Sequence, residues 1–262
     1  MDIWENERSR WAVGTVCGCD EAGAGPLAGP VYAAAVVLAE PVPGLDDSKK
    51  LTEKRREALY NVITARALSW AVARVEAAEI DETDILSARM KAMQLAIDAL
   101  PLDRPPVPPV EDRPPVPPVE DRTPVPSAAS DNGTGGNGTG KNGAAPPAGV
   151  TAVGGVPLRP ELALIDGNRD HGRYFSITSP HELAVGGDGL FASIAAASIL
   201  AKVSRDRYVC RELDALYPQY QFAKHKGYGT KLHTEMLDRY GPCPAHRKTF
   251  LKKWAARRGI EL

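Results

Sequence analysis

Near its start the chain has two apolar runs separated by a short stretch of acids and glycines. The first run, 12–19, is compatible with a strand and leads directly into Asp20 and Glu21; a glycine-rich segment, 22–30, and a second apolar run, 31–38, follow. Because neighbouring side chains of a strand point to opposite faces, Asp20 and Glu21 share one site only if the strand ends there and the chain turns. The pattern therefore predicts two strands joined by an acidic turn. Two acids beside bare backbone amides suit a divalent metal held against a phosphate.

Two other interpretations of this turn stay open. A dinucleotide-binding loop is disfavoured because the spacing Gly23-x-Gly25-x-x-x-Gly29 misses the G-x-G-x-x-G pattern, and because an apolar run stands where that motif needs a helix. Acids directly before the glycines would also repel a pyrophosphate. An ordinary hairpin with solvated acids fits the local pattern about as well as a metal site does.

The charge of the chain is balanced in total but unevenly distributed. Its 262 residues include 32 basic and 33 acidic ones, so the net charge indicates nothing about an anionic partner. The segment 224–258 is strongly basic, which favours a local nucleic-acid or phosphate surface. A solvated C-terminal helix would also explain it.

Other features bear on compartment and cofactors. No apolar run reaches about 18 residues, so we expect no membrane span, and the charged segment 1–10 lacks the core of a signal peptide. Four scattered cysteines make no disulfide framework, which fits a cytoplasmic protein, and we expect a monomer. A cysteine and three histidines could in principle bind zinc, but their spacing matches no structural zinc pattern. These residues are Cys243, His246, His225 and His233.

The remaining pattern alternates strands with helices, which predicts an α/β fold. We predict two strands within 12–38 and further strands over 68–75, 162–165 and 174–179. We predict helices over 53–65, 79–100, 191–203, 206–216 and 232–240.

A low-complexity segment, 101–158, interrupts this pattern. The nonapeptide DRPPVPPVE occupies 103–111 and recurs unchanged at 112–120, and 127–149 is rich in Gly, Asn, Thr and Ala. Prolines at this density favour polyproline II and forbid a central strand. We therefore predict a disordered Pro/Gly-rich insertion that leaves the sheet intact.

Two further acids stand beside glycines at the ends of predicted elements. Asp166 follows the apolar run 162–165, and Asp188 lies in a glycine turn. With Asp20 and Glu21 they make a carboxylate set suited to Mg²⁺ or Mn²⁺ and to two-metal phosphodiester hydrolysis. Turn capping is the simpler explanation for any one of them.

Several motifs, in order, make the chain resemble the bacterial ribonuclease HII family, the type 2 ribonucleases H. The resemblance covers roughly 12–100 and 159–252. The matching strings are DEAGAGPLAGPV (20–31), DSKKLTEKRREALY (47–60), EIDETDILSARMKAMQ (79–94), LIDGNR (164–169), GGD (186–188), SIAAASILAKVSRDR (193–207), QYQFAKHKGYGT (219–230) and HRKTF (246–250).

The resemblance implies an RNase H-like fold with a mixed five-stranded sheet flanked by helices. It implies a catalytic core of 1–100 and 159–205 and a C-terminal helical substrate-binding lobe, 206–262. The implied activity is endonucleolytic cleavage of RNA in RNA–DNA hybrids and at single ribonucleotides embedded in duplex DNA, leaving 5′-phosphate and 3′-hydroxyl ends. A DNA-strand resolvase and a non-catalytic nucleic-acid binder are the alternatives.

The resemblance also implies roles for individual residues. The metal-binding catalytic acids would be Asp20, Glu21, Asp166 and Asp188. The substrate-binding residues would be Gly23, Ala24, Gly25, Lys49, Lys50 and Tyr228. In this scheme the glycine loop senses the 2′-hydroxyl and Tyr228 packs against the sugar, whereas Asp206 is structural.

One residue of the glycine loop departs from the family pattern. The family usually has Gly-Arg-Gly where this chain has Gly23-Ala24-Gly25. Backbone sensing survives such a change, but a guanidinium that would hold a phosphate is missing. We therefore expect weaker substrate binding, or less strict selection of RNA–DNA junctions, than in relatives that carry the arginine.

Overall fold

One mixed β-sheet runs through the part of the chain that the structure, a computed structural model, describes: residues 2–46, 48–100, 149–155 and 159–262. Its strands are β1 (Val16–Ala22), β2 (Val31–Val37), β3 (Ser69–Val75), β4 (Val150–Gly155), β5 (Leu162–Asp166) and β6 (His181–Ala184). Their spatial order is β4-β3-β2-β1-β5-β6. β1 to β4 pair antiparallel in sequence, whereas β5 is parallel to both β1 and β6.

Helices cover both faces of this sheet and form the C-terminal lobe. They are α1 (Ile3–Arg8), α2 (Glu53–Arg66), α3 (Ala77–Glu82), α4 (Ile85–Asp98), α5 (Ala192–Tyr208), α6 (Asp214–Leu216), α7 (Phe222–His225), α8 (Lys231–Tyr240) and α9 (Lys248–Ala256). α4 packs on one face of the central strands, and α2 and α5 pack on the other. No helix among the described residues is long and apolar enough to cross a membrane.

The small residues of α5 let it lie unusually close to β1. A Cβ atom added to Gly18 would stand 2.2 Å from the backbone nitrogen of Ile194 in α5. This close approach brings the polar residues of α5, from Ser198 onward, next to the end of β1. The sheet and the helix together therefore set the position of any group carried by β1.

The sheet has six strands in the described residues, one more than we predicted. Two of the six were not among the predicted strands: β6, and β4, which lies inside 101–158 and pairs with β3. The prediction of a disordered insertion is thus wrong for residues 150–155, because long-range pairing with β3 determines a strand there. For 101–148 and 156–158 that prediction lies outside the described residues.

Two further elements differ from their predicted form. The helix predicted over 79–100 is divided into α3 and α4, because Asp84 caps the second helix by accepting from the Ser87 backbone N–H at 2.8 Å. The strand predicted over 174–179 is absent from the described residues apart from one bridge, His171 to Ser176. The backbone N–H groups of Tyr174, Thr178 and Ser179 donate instead to side chains of α4, as Thr178 does to Oε1 of Gln94 at 2.8 Å.

The remaining predicted helices are confirmed with shifted ends. Thr52 caps α2 by accepting from the Arg55 N–H at 3.2 Å, as its sequence position indicates. α5 extends five residues beyond its predicted end at Val203 and continues into a π-helical turn, Val209–Leu213. The boundary that we drew between residues 205 and 206 therefore falls within one continuous helix.

Candidate active site

Three of the four predicted acids lie near the ends of two neighbouring parallel strands. Cys19 of β1 is paired with Ile165 of β5, so Asp20 and Asp166 follow at the same level of the sheet. Asp20, Glu21 and Asp166 all line a cavity of about 290 Å³. The structure therefore brings together acids from two separate segments of the chain, β1 and β5.

Asp20 and Glu21 reach this cavity from opposite faces of β1. We expected the strand to end at these acids, but it continues through Ala22. Asp20 points toward α5 and is hydrogen-bonded by Ser198. Glu21 points toward α4, where its Oε1 is 2.6 Å from Nη2 of Arg89. Both can line one cavity because the pairing with β5 ends beside them.

Asp188 lies beside Asp166 rather than among the residues that line the cavity. It is the middle residue of a short 3₁₀ turn, Gly187–Gly189, and its Oδ2 is 3.3 Å from Nζ of Lys49. The Gly187 N–H donates to Oδ1 of Asp166 at 2.7 Å. A Cβ atom at Gly187 would be 2.6 Å from Cδ1 of Ile194, so a larger residue there would have to displace that side chain. The turn thus links the third and fourth acids directly.

Burial and mutual repulsion disfavour the charged form of these carboxyl groups. Burial raises the pKa of Asp20 well above its usual value, and Glu21 and Asp166 raise it further. Burial likewise raises the pKa of Glu21, although Arg89 opposes the shift, and the pKa of Asp166. A bound cation would lower these pKa values, because its positive charge in the cavity compensates both the burial and the mutual repulsion of the carboxylates.

The donor set fits a hard divalent cation. Oε2 of Glu21 is buried and has no hydrogen-bond partner, so an acceptor is left unused at the cavity. Oxygen ligands of this kind are those that Mg²⁺ and Mn²⁺ prefer. As the described side chains stand, no three Asp, Glu, His or Cys residues already form a metal site. Arg89 and Lys49 instead hold two of the acids.

Two buried arginines donate hydrogen bonds to the backbone of the glycine loop that follows β1. Arg247 donates to the carbonyl oxygens of Gly29, Ala24 and Gly23 at 2.9, 2.9 and 2.7 Å. Arg205 of α5 donates to the carbonyls of Pro30, Lys226 and Ala28, each at 3.2 Å. Both side chains are fully buried. Sequence reasoning missed them, although both stand within the strings that carry the family resemblance.

Gly23, Ala24 and Gly25 line the cavity together with Lys49 and Tyr228, as expected. Lys50 is not among the lining residues, and its Nζ is 3.2 Å from Asp46 on the surface. The structure adds cations that the sequence reasoning did not single out, namely Arg56 and Lys202.

Tyr228 is 42% exposed at the opening of the cavity. Nζ of Lys202 lies 5.9 Å from the centre of its ring. Asp206 accepts from both Lys202 and Lys226 at 2.8 Å, which agrees with the structural role that the resemblance implies for it.

Comparison with known proteins supports the same assignment. The family model described as Ribonuclease HII matches residues 17–105 and 152–256. A ribonuclease HII of Idiomarina loihiensis is 41% identical over 237 residues, which cover 90% of this chain and 94% of that protein. One of Albidiferax ferrireducens is 40% identical over 243 residues, covering 92% and 88%.

Solved structures resemble the fold of this chain. The crystal structure of the ribonuclease H2 from Pyrococcus horikoshii has a TM-score of 0.58 at 21% identity and covers 94% of this chain and 100% of that one. The RNase HII in the PCNA complex from Archaeoglobus fulgidus has a TM-score of 0.56 at 22% identity, with 89% and 93% covered. At these identities the likeness shows a shared fold.

Proposed function

The chain belongs to the ribonuclease HII family and is a metal-dependent ribonuclease H that acts on RNA–DNA hybrids, and we propose that it also cuts at single ribonucleotides embedded in duplex DNA. The proposed products carry 5′-phosphate and 3′-hydroxyl ends. The observation that carries this proposal is the convergence of Asp20, Glu21 and Asp166 on one cavity whose wall is the glycine loop.

We propose that Asp20, Glu21, Asp166 and Asp188 hold two divalent ions, Mg²⁺ or Mn²⁺. The bound pair would supply activation of the attacking water and stabilisation of the leaving oxygen. The raised pKa values and the unpaired Oε2 of Glu21 support this assignment. Arg89 holds the other oxygen of Glu21, so it orients this carboxylate toward the cavity.

The substrate side of the cavity has the groups that a nucleic-acid strand needs. Backbone amides and carbonyls of Gly23, Ala24 and Gly25 are able to bond a 2′-hydroxyl, which distinguishes RNA from DNA at one position. Tyr228 offers a ring for the adjacent sugar. Lys49 and Lys202 supply positive charge for the phosphates. Because such contacts release counterions, the affinity for substrate should fall as the salt concentration rises.

The experiment that tests this proposal compares duplexes with and without one ribonucleotide. Wild-type protein should cut the ribonucleotide-containing duplex, next to the ribonucleotide, only when Mg²⁺ or Mn²⁺ is added. Asp20→Asn should abolish cleavage and preserve binding of the same duplex, because the loss of one carboxylate reduces repulsion of the phosphates. Asp170→Asn, which changes an acid outside the cavity, is the matched control and should cut normally.

Other outcomes would contradict the proposal. Cutting of an all-DNA duplex at an equal rate would indicate a DNA-strand nuclease. Binding without cleavage by the wild-type protein in either metal would indicate a nucleic-acid binder. Full activity of Asp20→Asn would overturn the assignment of the acids.

A further inference from the structure

Three buried histidines surround the loop that carries Tyr228. His225, His233 and His246 are 6%, 0% and 2% exposed. They come from α7, from α8 and from the segment before α9. None of them lines the cavity that holds the acids. Buried ionisable side chains of this kind call for a physical reason, since burial of a polar group is costly unless it is hydrogen-bonded.

The hydrogen-bond partners of His246 fix where its proton lies. Its Nδ1 accepts the backbone N–H of Cys243 at 3.0 Å, so that nitrogen carries no proton. The proton of the neutral ring is therefore on Nε2, which is 3.0 Å from Nε2 of His233. His246 donates and His233 accepts in this contact.

His233 passes this arrangement on to Tyr228. Because Nε2 of His233 is the acceptor, its Nδ1 carries the proton and donates to the carbonyl oxygen of Tyr228 at 2.9 Å. The chain from the Cys243 N–H through both rings to Tyr228 thus has one consistent set of donors and acceptors.

His225 holds the other side of the same loop. Its Nδ1 accepts the Gly227 N–H at 3.2 Å, and its Nε2 donates to the carbonyl of Tyr220 at 2.9 Å. Its ring stacks on that of His233 with the ring centres 4.2 Å apart. All six ring nitrogens of the three histidines are therefore engaged, which leaves no free lone pair for zinc.

The electrostatic environment keeps the two central rings neutral. Burial lowers the pKa of both His233 and His246 to about 4. Protonation of either ring would place two N–H donors opposite each other in the hydrogen-bond chain. A neutral pair with one proton arrangement is thus the form that the fold stabilises at neutral pH.

We propose that His233 and His246 are positioning residues, which set the place of Tyr228 at the cavity through this hydrogen-bond chain. The inference rests on the proposed function, because it assigns Tyr228 to the substrate. It gives the histidines a role in substrate binding without contact with substrate. Their effect should therefore appear in KM rather than in kcat.

Amide side chains test the chain one nitrogen at a time. His233→Asn keeps a donor where Nδ1 lies, whereas His233→Gln places its amide at the position of Nε2. His233→Asn should leave KM for the ribonucleotide-containing duplex within about twofold, and His233→Gln should raise it about five- to tenfold, as loss of one hydrogen bond predicts. At the far end, His246→Gln keeps the donor to His233 and His246→Asn removes it, so the order is reversed there: His246→Gln should leave KM nearly unchanged and His246→Asn should raise it.

A double-mutant cycle separates positioning from general stability. In a Tyr228→Ala background, His233→Gln should change KM no further, because the residue acts through Tyr228. The exposed His171, changed to Asn, is the matched control and should leave KM unchanged in both backgrounds. Circular dichroism and thermal melting of each variant show that it is folded.

A second measurement does not depend on activity. Nitrogen-15 correlation spectra of the wild-type histidines at pH 7 should show Nε2–H for His246 and Nδ1–H for His233. Equal KM for His233→Asn and His233→Gln, multiplied effects in the Tyr228→Ala background, or the opposite tautomers would each overturn the proposal. Absence of cleavage by wild-type protein, with these tautomers observed, would instead count against the proposed function.

Discussion

Ala24 lies at the edge of the cavity, next to the exposed Gly25, and its carbonyl is bonded by Arg247. The loop therefore keeps its backbone conformation without a side chain that reaches toward the substrate. Positive charge around the cavity comes from other elements, with Lys202 on α5 and Arg56 on α2. Under the proposed function, the loop that would sense the sugar and the cations that would hold the phosphate belong to different elements.

An arginine at this position should strengthen substrate binding. Ala24→Arg should lower KM for the ribonucleotide-containing duplex about three- to tenfold, because a guanidinium adds one phosphate contact. The slope of log K against log salt should steepen by about 1. Ala24→Gln, which adds length without charge, is the control. Equal KM for all three proteins would contradict the expectation.

Individual residues were predictable from the sequence where an acid directly follows a buried strand. Asp20 and Asp166 each follow such a run in the sequence, and the structure places them within or at the end of neighbouring strands, β1 and β5. The face of the sheet on which the Glu21 side chain lies was not predictable, because it depends on how far β1 continues. Arg205 and Arg247 gave no local signal either, since nothing in a sequence distinguishes a buried arginine that bonds carbonyls from a solvated one.

At the level of elements, α1 contributes a cap to α5. Glu7 is fully buried, and its Oε2 accepts from the N–H and the hydroxyl of Ser193 at 3.2 and 2.9 Å. The other oxygen, Oε1, has no partner. An anion near a helix N-terminus is favourable, but burial raises the pKa of Glu7 above its ordinary 4.5. Keeping Glu7 ionised in the folded protein therefore costs stability.

This cost predicts how stability depends on pH. A raised carboxyl pKa means that the folded state favours the protonated form, so the stabilisation is complete below pH about 4.5 and is lost as pH rises through the folded-state pKa. Glu7→Gln cannot ionise and keeps a carbonyl acceptor for Ser193. Its free energy of unfolding, measured in urea from pH 4 to 8, should increase relative to wild type as pH rises.

Glu7→Ala provides the contrasting variant. It leaves the N–H and hydroxyl of Ser193 without their acceptor, so it should be less stable than Glu7→Gln by about 1–3 kcal/mol. A constant difference between wild type and Glu7→Gln across this pH range would contradict the assignment of the buried carboxyl.

Strand β4 is an element that the composition of the chain did not predict. Its residues follow a Gly- and Pro-rich stretch. Half-buried and exposed positions alternate along it, but over only six residues. What makes it a strand is its pairing with β3, where Ala71 lies opposite Val153 and Val72 opposite Ala152. Pairing of this kind depends on a distant segment, so a local reading of 150–155 could not find it.

Two replacements test this element. A protein in which a Gly/Ser linker of about six residues replaces 102–147 keeps β4, and its Tm should stay close to that of wild type. Replacement of 102–158 also removes β4 and leaves one side of β3 unpaired, so Tm should fall by at least about 5 °C. The comparison is made by scanning calorimetry. Equal Tm values for the two would show that β4 adds nothing to the stability of the sheet.

At the scale of the whole molecule, the C-terminal lobe is joined to the core through polar contacts. Arg247 enters from the lobe to hold the glycine loop, and Asp81 of α3 caps α9 by accepting from the Lys248 and Thr249 N–H groups at 2.7 and 2.9 Å. Arg205 reaches from the core to the carbonyl of Lys226. The glycine loop, the C-terminal lobe and α5 are therefore joined by hydrogen bonds into one connected unit.

Loss of Arg247 should affect both stability and binding. Arg247→Met leaves the carbonyls of Gly23, Ala24 and Gly29 without their donor, which should lower the free energy of unfolding by about 3 kcal/mol or more. KM should also rise, because the glycine loop loses its support. Urea unfolding and steady-state kinetics measure the two effects. Arg257→Met, on the exposed end of the same segment, is the control and should behave as wild type.

Helix α5 has a consequence for where the phosphodiester bond is broken. Ser198 bonds the acid Asp20, and Lys202, one turn later, approaches the ring of Tyr228. Four residues of an α-helix advance by about 6 Å, a length close to one nucleotide of a strand. Under the proposed roles of Asp20 and Tyr228, one helical turn of α5 would set the offset between the ribose that is recognised and the bond that is cut. On that proposal, changes in the loops would alter affinity, whereas adding or deleting residues within this turn of α5 would move the cut.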